Sequence, residues 1–212
     1  MDALVHIIDD DESVRHALDS LFRSVDIDTR LHRSAQDFLG ASRPDCPSCL
    51  VLDIRLPGIN GLDFQERLTQ LNIQVPVVLI TGHGDIPMSV RGMKAGAVDF
   101  LTKPFRDQDM LDAVSAAIEK DRLRRSKDLQ SEDLHKRFAT LTTRERQVMV
   151  LVADGKMNKQ IAGLLSLSEI TVKIHRGQAM RKMGAHTLAD LVRMASALQL
   201  AVEPVLPGKT SV

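Results

Sequence analysis

Five short extended runs alternate with helical stretches through the first half of the chain. Val5–Ile8, Ile27–Leu31, Cys49–Leu52, Val75–Ile80 and Val98–Leu101 are too short for helices and lead into polar or charged residues. Between them, apolar residues recur at helical spacing. Val14, Ala17, Leu18, Leu21, Phe22 and Val25 form the first such set. Ser34 can cap a short helix through Phe38 and Leu39, and Leu62, Phe64, Leu68 and Leu71 follow Gly61. Met88–Ala95 and a stretch from about Asp107 complete the series. This alternation predicts an α/β doubly wound fold, a five-stranded parallel sheet covered by helices on both faces. Such sheets bind ligands at the carboxyl ends of their strands, at the topological switch point. The residues expected on that rim are Asp9, Asp10, Asp53, Thr81 and Lys103.

The chemistry of that set follows from its charges. Clustered carboxylates repel one another and favour a hard divalent cation with oxygen ligands, such as Mg²⁺. A lysine beside them offsets charge and can hold a phosphoryl oxygen, and a threonine hydroxyl can hold another. An aspartate can itself act as the nucleophile and form an aspartyl-phosphate.

The order of these residues carries a resemblance. Asp9-Asp10, the stretch Asp53-Ile54-Arg55-Leu56-Pro57-Gly58-Ile59-Asn60-Gly61, Thr81, and Lys103-Pro104-Phe105 resemble a response-regulator receiver domain over about residues 3–120. Thr81–Met88 and Met93–Ala97 are similar to the FixJ subgroup. The resemblance implies Asp53 as phosphoacceptor. It implies Mg²⁺ held by Asp10, Asp53 and the backbone carbonyl of Arg55, with Asp9 in the acidic pocket. Thr81 and Lys103 would bind the phosphoryl group, and Phe100 would switch with Thr81. Leu56 stands where Met is commoner in receivers. His83 and Arg55 would overlook the phosphoryl group and govern water access to it. Asp11 and Glu12 fit a helix N-terminus and are left out of the metal site.

The balanced net charge hides a division. Residues 1–120 hold 19 acidic and 12 basic residues, whereas 121–212 hold 9 and 16. Such asymmetry points to two domains, the second suited to nucleic acid. Residues 107–137 read as one long helix or two, turning solvated beyond Ile118. Thereafter the pattern is all helical. Thr142 or Thr143 starts one helix and Gly155 stops it. A second holds Ile161, Ala162, Leu164 and Leu165. A third runs from Glu169 to Met183 between Ser168 and Gly184, and a fourth follows Thr187. Two short helices joined by a tight turn, the second rich in Lys and Arg, point to a helix-turn-helix.

Leu141-Thr142, Arg144–Val148, Asn158–Ala162 and Thr171–His175 resemble the LuxR/NarL-type DNA-binding domain over about residues 140–198. At about 100° per residue, Val172, Ala179 and Met183 share a core side. Lys173, Ile174, Gly177 and Arg181 fall opposite, where they would face the major groove. The candidate DNA-contacting residues are Lys159, Thr171, Lys173, Ile174, Arg176, Gly177, Arg181 and Lys182. Of these, Lys159, Arg176 and Lys182 are expected on phosphates.

The expected organisation is a receiver over 1–120, a helical linker over 121–139, the DNA-binding domain over 140–200 and a disordered tail over 201–212. The expected function is that of a two-component response regulator in the cytoplasm. A sensor histidine kinase would phosphorylate it on Asp53. It would then dimerise and regulate transcription on double-stranded promoter DNA, with RNA polymerase as a further partner. The alternative is a phosphatase of the haloacid-dehalogenase type, which also forms an aspartyl-phosphate. That family wants its nucleophile in an Asp-x-Asp pair at the end of the first strand, whereas the candidate nucleophile here, Asp53, ends the third, and no substrate-cap insertion exists. A non-enzymatic role is therefore expected. Aromatic residues are only 3%, with no Trp or Tyr, which argues against recognition of single strands by stacking. No apolar run nears the roughly 18 residues of a membrane span. Cys46 and Cys49 lack a second cysteine pair to complete a zinc site, and a loop with a buried thiol is expected.

Overall fold

The computed structural model describes residues 3–200. The chain divides into two compact units between Ser126 and Lys127. The expected tail over 201–212 lies outside the described residues.

In the first unit, β1 (Leu4–Ile8), β2 (Asp28–His32), β3 (Ser48–Asp53), β6 (Val77–Thr81) and β7 (Asp99–Thr102) form one sheet. The helices are α1 (Glu12–Arg23), α2 (Ala35–Gly40), α3 (Gly61–Gln70), α4 (Ile86–Lys94) and the start of α5 (Asp107–Ala139). Strand order is β2-β1-β3-β6-β7, and every neighbouring pair is parallel. Alternate residues feed two cores, as the pleat requires. Val5, Ile7, Val51, Val78 and Ile80 meet α1 and α5 through Leu18, Phe22, Met110 and Val114. Ile8, Leu50, Leu52 and Leu79 meet Phe38, Leu62, Phe64 and Leu68 on the other face. The order reverses between β1 and β3, so the crevice opens above their carboxyl ends.

Some details depart from the expected pattern: Leu71 lies beyond α3 and is exposed, and β2 and β6 begin one and two residues later than expected. Helix α1 ends at Arg23, and Val25 beyond it is exposed rather than on the buried stripe. A small hairpin, β4 (Arg55–Leu56) against β5 (Ile59–Asn60), follows β3. Pro57 and Gly58 turn it, with Gly58 at φ 83°. Periodicity carries no signal for strands of two residues. Cys46 and Cys49 are buried free thiols.

Charged side chains are buried where they close specific contacts. At the amino-terminal edge of the sheet, Asp121 of α5 is buried. It accepts from the backbone N–H of Ser48 at 3.0 Å, from Arg124 at 2.6 Å and from Arg125 at 2.8 Å. Arg125 also pairs with Asp45. The collar fastens α5 to the start of β3.

His6 and His32 form a buried pair, Nδ1 to Nε2 3.0 Å, with Phe38 edge-on to both rings. Burial, then the charges of His32, Arg30 and Arg43, lowers the His6 pKa to about 4. Burial lowers His32 as well, although Asp37 opposes it. The folded state therefore prefers both imidazoles neutral. Their stabilisation is complete above the unfolded value near 6.5 and is lost as pH falls toward 4. Urea unfolding followed by circular dichroism should show His6 alone costing about 2 kcal/mol between about pH 7 and 5. A His6→Leu/His32→Leu chain should lack that increment, and an equal pH dependence in both proteins would remove the pair as its source.

The second unit holds the end of α5 with α6 (Thr143–Ala153), α7 (Asn158–Leu165), α8 (Glu169–Met183) and α9 (Leu188–Ala197). Its core gathers Val148, Met149, Ile161, Val172, Ala179, Met183, Leu191 and Ala195. Thr142 caps α6 in a reciprocal box with Glu145, and Ser168 caps α8. Helix α5 is continuous from 107 to 139, which resolves the choice between one helix and two. Among the described residues, no helix is long and apolar enough to cross a membrane.

Candidate functional site

The sheet brings five of the expected residues to its carboxyl edge. Asp9 and Asp10 follow β1, Asp53 ends β3, Thr81 ends β6 and Lys103 follows β7. Lys103 Nζ lies 2.6 Å from Asp9 and 2.9 Å from Asp53, so one ammonium bridges two buried carboxylates. The other oxygen of Asp53 accepts the backbone N–H of Arg55 at 2.8 Å. The Asp53 carboxylate is thus held at both ends. Asp9 also accepts the N–H of Asp11 at 2.9 Å, and Asp11 itself caps α1.

Burial acts to raise the Asp9 pKa and prevails over the pull of Lys103 and the Asp11 N–H. On Lys103, burial works to lower the pKa, but hydrogen bonds to Asp9 and Asp53 outweigh it and raise the value. Lys103 therefore stays charged throughout the neutral range. Asp9, Asp10 and Asp53 each offer an oxygen within 4.8 Å of the others. An all-carboxylate set of this kind fits a hard divalent cation. Asp10 is exposed, at the mouth of an open cleft of about 460 Å³ lined by Arg55, Leu56, Pro57, Gly58 and Asn60.

Close backbone packing sets this geometry. A Cβ at position 61 would stand 2.4 Å from the Asp53 carbonyl oxygen, so only glycine lets α3 start there. Thr81 is fully buried, and its Oγ1 accepts the N–H of His83 at 3.3 Å. His83 and Arg55 are both exposed. Phe100 is half-buried beside the β6–α4 loop, where a Cβ on Gly84 would stand 3.0 Å from its ring.

Arg15 belongs to the site's support but not to the expected set. Its buried guanidinium donates to the carbonyls of Asp9 and Asp10, at 2.7 and 3.0 Å, and shapes the acidic loop. The signal is in the sequence: Arg15 shares the stripe of Leu18 and Phe22, a charge where an apolar residue is due.

In the second unit, Ser166–Ser168 form the turn between α7 and α8. Lys159, Lys173, Ile174, Gly177 and Arg181 are exposed, the last four on one side of α8. Three other candidates already have protein partners. Thr171 shares a 2.8 Å hydroxyl contact with the capping Ser168. Arg176 donates to Asn158 at 3.2 Å, joining α8 to α7. Lys182 pairs with the buried Glu145 at 2.7 Å. Burial would raise the Glu145 pKa, but Lys182 and the N–H of Thr142 outweigh it and hold the carboxyl below its usual range.

Residues 5–115 match the response regulator receiver domain family, and residues 139–195 match the bacterial regulatory proteins of the luxR family. Nodulation protein W of Bradyrhizobium diazoefficiens is 55% identical over 94% of this chain and 88% of its own length. Transcriptional regulatory protein FixJ of Rhizobium meliloti is 43% identical, over 92% and 96%. The solved structure of response regulator StyR aligns with a TM-score of 0.82 and 44% identity, covering 92% of this chain and 99% of that one. The phosphatase alternative falls on these matches, and Asp53 ends the third strand rather than the first.

Proposed function

This chain belongs to the two-component response regulators and is a DNA-binding transcription factor, and from that premise we propose that Asp53 is its phosphoacceptor and phosphorylation its switch to a DNA-binding dimer. The bridge from Lys103 to Asp9 and Asp53, beside exposed Asp10, carries this reading. A receiver implies a sensor kinase as phosphoryl donor. The Asp53 oxygen attacks phosphorus, a P–O bond forms, and the P–N bond to the donor imidazole breaks. Lys103 balances the charge that arrives, and Thr81 turns its hydroxyl to a phosphoryl oxygen. Asp10, Asp53 and the Arg55 carbonyl would hold Mg²⁺, which when bound shields the incoming phosphate. Phe100 follows Thr81 in the switch. Arg55 and His83, exposed at the mouth, govern water access and hence the lifetime of the phosphate.

A single reading helix contacts few base pairs, so a symmetric pair on two half-sites is the effective binder. RNA polymerase is the further partner of that complex. Helix α4 is the surface we assign to dimerisation. Ile86, Val90 and Met93 are exposed on it, with Met88 half-buried and Lys94 alongside. Arg91 of the same helix is engaged with Asp63 and Glu66 of α3, at 2.7 and 2.9 Å. Shifting such an equilibrium from 1:99 to 99:1 takes about 5.5 kcal/mol, within reach of a dianion bound by several charged groups. Light scattering should therefore show the mass doubling on treatment with acetyl phosphate and Mg²⁺, and Val90→Glu should prevent it. Equal mass and equal DNA affinity in both states would replace dimerisation with release of one domain by the other.

A further inference from the structure

Few apolar side chains hold α8 in its unit. Across its 15 residues only Val172, Ala179 and Met183 are buried. So narrow a stripe resists rolling and tilting poorly, and the polar tethers decide how the helix sits. Two of them grip its carboxyl end. Lys182 reaches Glu145 and the Thr140 carbonyl, at 2.7 and 3.2 Å. Arg137, in the last turn of α5, donates from Nη1 to the Met183 carbonyl at 3.1 Å. The last carbonyls of a helix lack intrahelical partners and carry the negative end of its dipole, so a guanidinium suits them on both counts.

Gly184 makes that approach possible. It adopts φ 73°, and a Cβ there would stand 2.3 Å from Arg137 Nη1. The guanidinium is itself steadied by Asp133 at 2.9 Å. Leu134 and Phe138, on either side of Arg137, pack against the core of this unit. Arg146 lies 5.1 Å over the Phe138 ring and donates to the Ala139 carbonyl at 3.0 Å. All of these α5 residues except Ala139 precede the stretch that matches the luxR family.

We infer that Arg137 is a positioning residue for DNA reading: the last turn of α5 belongs to the reading unit, and its guanidinium sets the tilt of α8. The inference rests on α8 as the reading helix. Base contacts carry the sequence information and depend on that tilt, whereas phosphate contacts hold the protein on the duplex without reading it. Losing Arg137 should therefore cost discrimination before it costs affinity.

The test uses the full chain and two duplexes of equal length, one selected from random DNA by the wild-type protein and one scrambled. Arg137→Gln should lower the ratio of the two affinities about tenfold, the worth of one charge-assisted hydrogen bond. Its affinity for the scrambled duplex and its phosphorylation should be unchanged. Arg137→Lys should restore most of the ratio. Gly184→Ala should lower it too, and its thermal stability is measured alongside because the left-handed φ of 73° strains any side chain there. An unchanged ratio in Arg137→Gln, or a parallel fall of both affinities with thermal stability, would overturn the inference. If Lys173→Ala/Arg181→Ala binds the selected duplex as wild type does, α8 is not the reading helix and both readings fall. If that pair loses binding while Arg137→Gln keeps the full ratio, only the role of Arg137 falls.

Discussion

An Asp53→Asn chain is expected to take no phosphoryl label from acetyl phosphate and Mg²⁺ while keeping its fold. The amide is nearly isosteric, and its oxygen can still accept one of the two hydrogen bonds that hold the carboxylate, from Lys103 or from the Arg55 N–H. It is neutral and cannot serve as the nucleophile, so the loss should be complete rather than partial. Asp9, which is bonded to Lys103 and to the Asp11 N–H much as Asp53 is bonded to Lys103 and the Arg55 N–H, is the internal control and should take no label in its place. Stoichiometric label on the variant, mapped by mass spectrometry, would move the phosphoacceptor to another carboxylate, with exposed Asp10 the first to examine.

Lys173→Ala combined with Arg181→Ala should weaken binding to a selected duplex by about 10²–10³-fold, from roughly 1–3 kcal/mol per well-placed contact. Both residues are exposed on one side of α8, so the unit should keep its unfolding temperature. The two contributions can be told apart by salt. A phosphate contact removed lowers the salt slope by about one, whereas a base contact removed relaxes preference at one position. Full affinity and specificity in the double variant would place the reading face elsewhere. Arg176 and Lys182 behave differently: each already bonds to another helix, so removing either should also lower stability.

How much of this was legible in the sequence depends on the kind of signal. The sheet was readable because β1, β3 and β6 are buried on both faces and appear as short, mostly apolar runs, β1 interrupted only by His6. The rim followed from it, since Asp9, Asp53, Thr81 and Lys103 sit at or just after strand ends. The caps were readable because Ser34, Thr142, Ser168 and Thr187 stand directly before apolar-periodic stretches. What escaped were charges on apolar stripes. Arg15 continues the face of Leu18 and Phe22, and Asp121 that of Val114 and Ile118, yet a charged residue reads as solvated until its partner is known. Those partners are backbone groups at Asp9, Asp10 and Ser48, distant or unremarkable in sequence. Lys182 shows the same limit: its ion pair with the buried Glu145 cannot be read from a basic residue on α8.

The Asp121 collar bears on how such regulators can be rebuilt. Modular proteins invite grafting, and a junction at residue 120 would look natural, just past the last apolar turn of the receiver. Such a cut would hand Asp121, Arg124 and Arg125 to the wrong parent, leaving the Ser48 N–H and Asp45 to face whatever the foreign helix supplied. The exchangeable cassette therefore ends after Arg125. A chimera respecting that seam inherits a finished module, and one that ignores it inherits an open end.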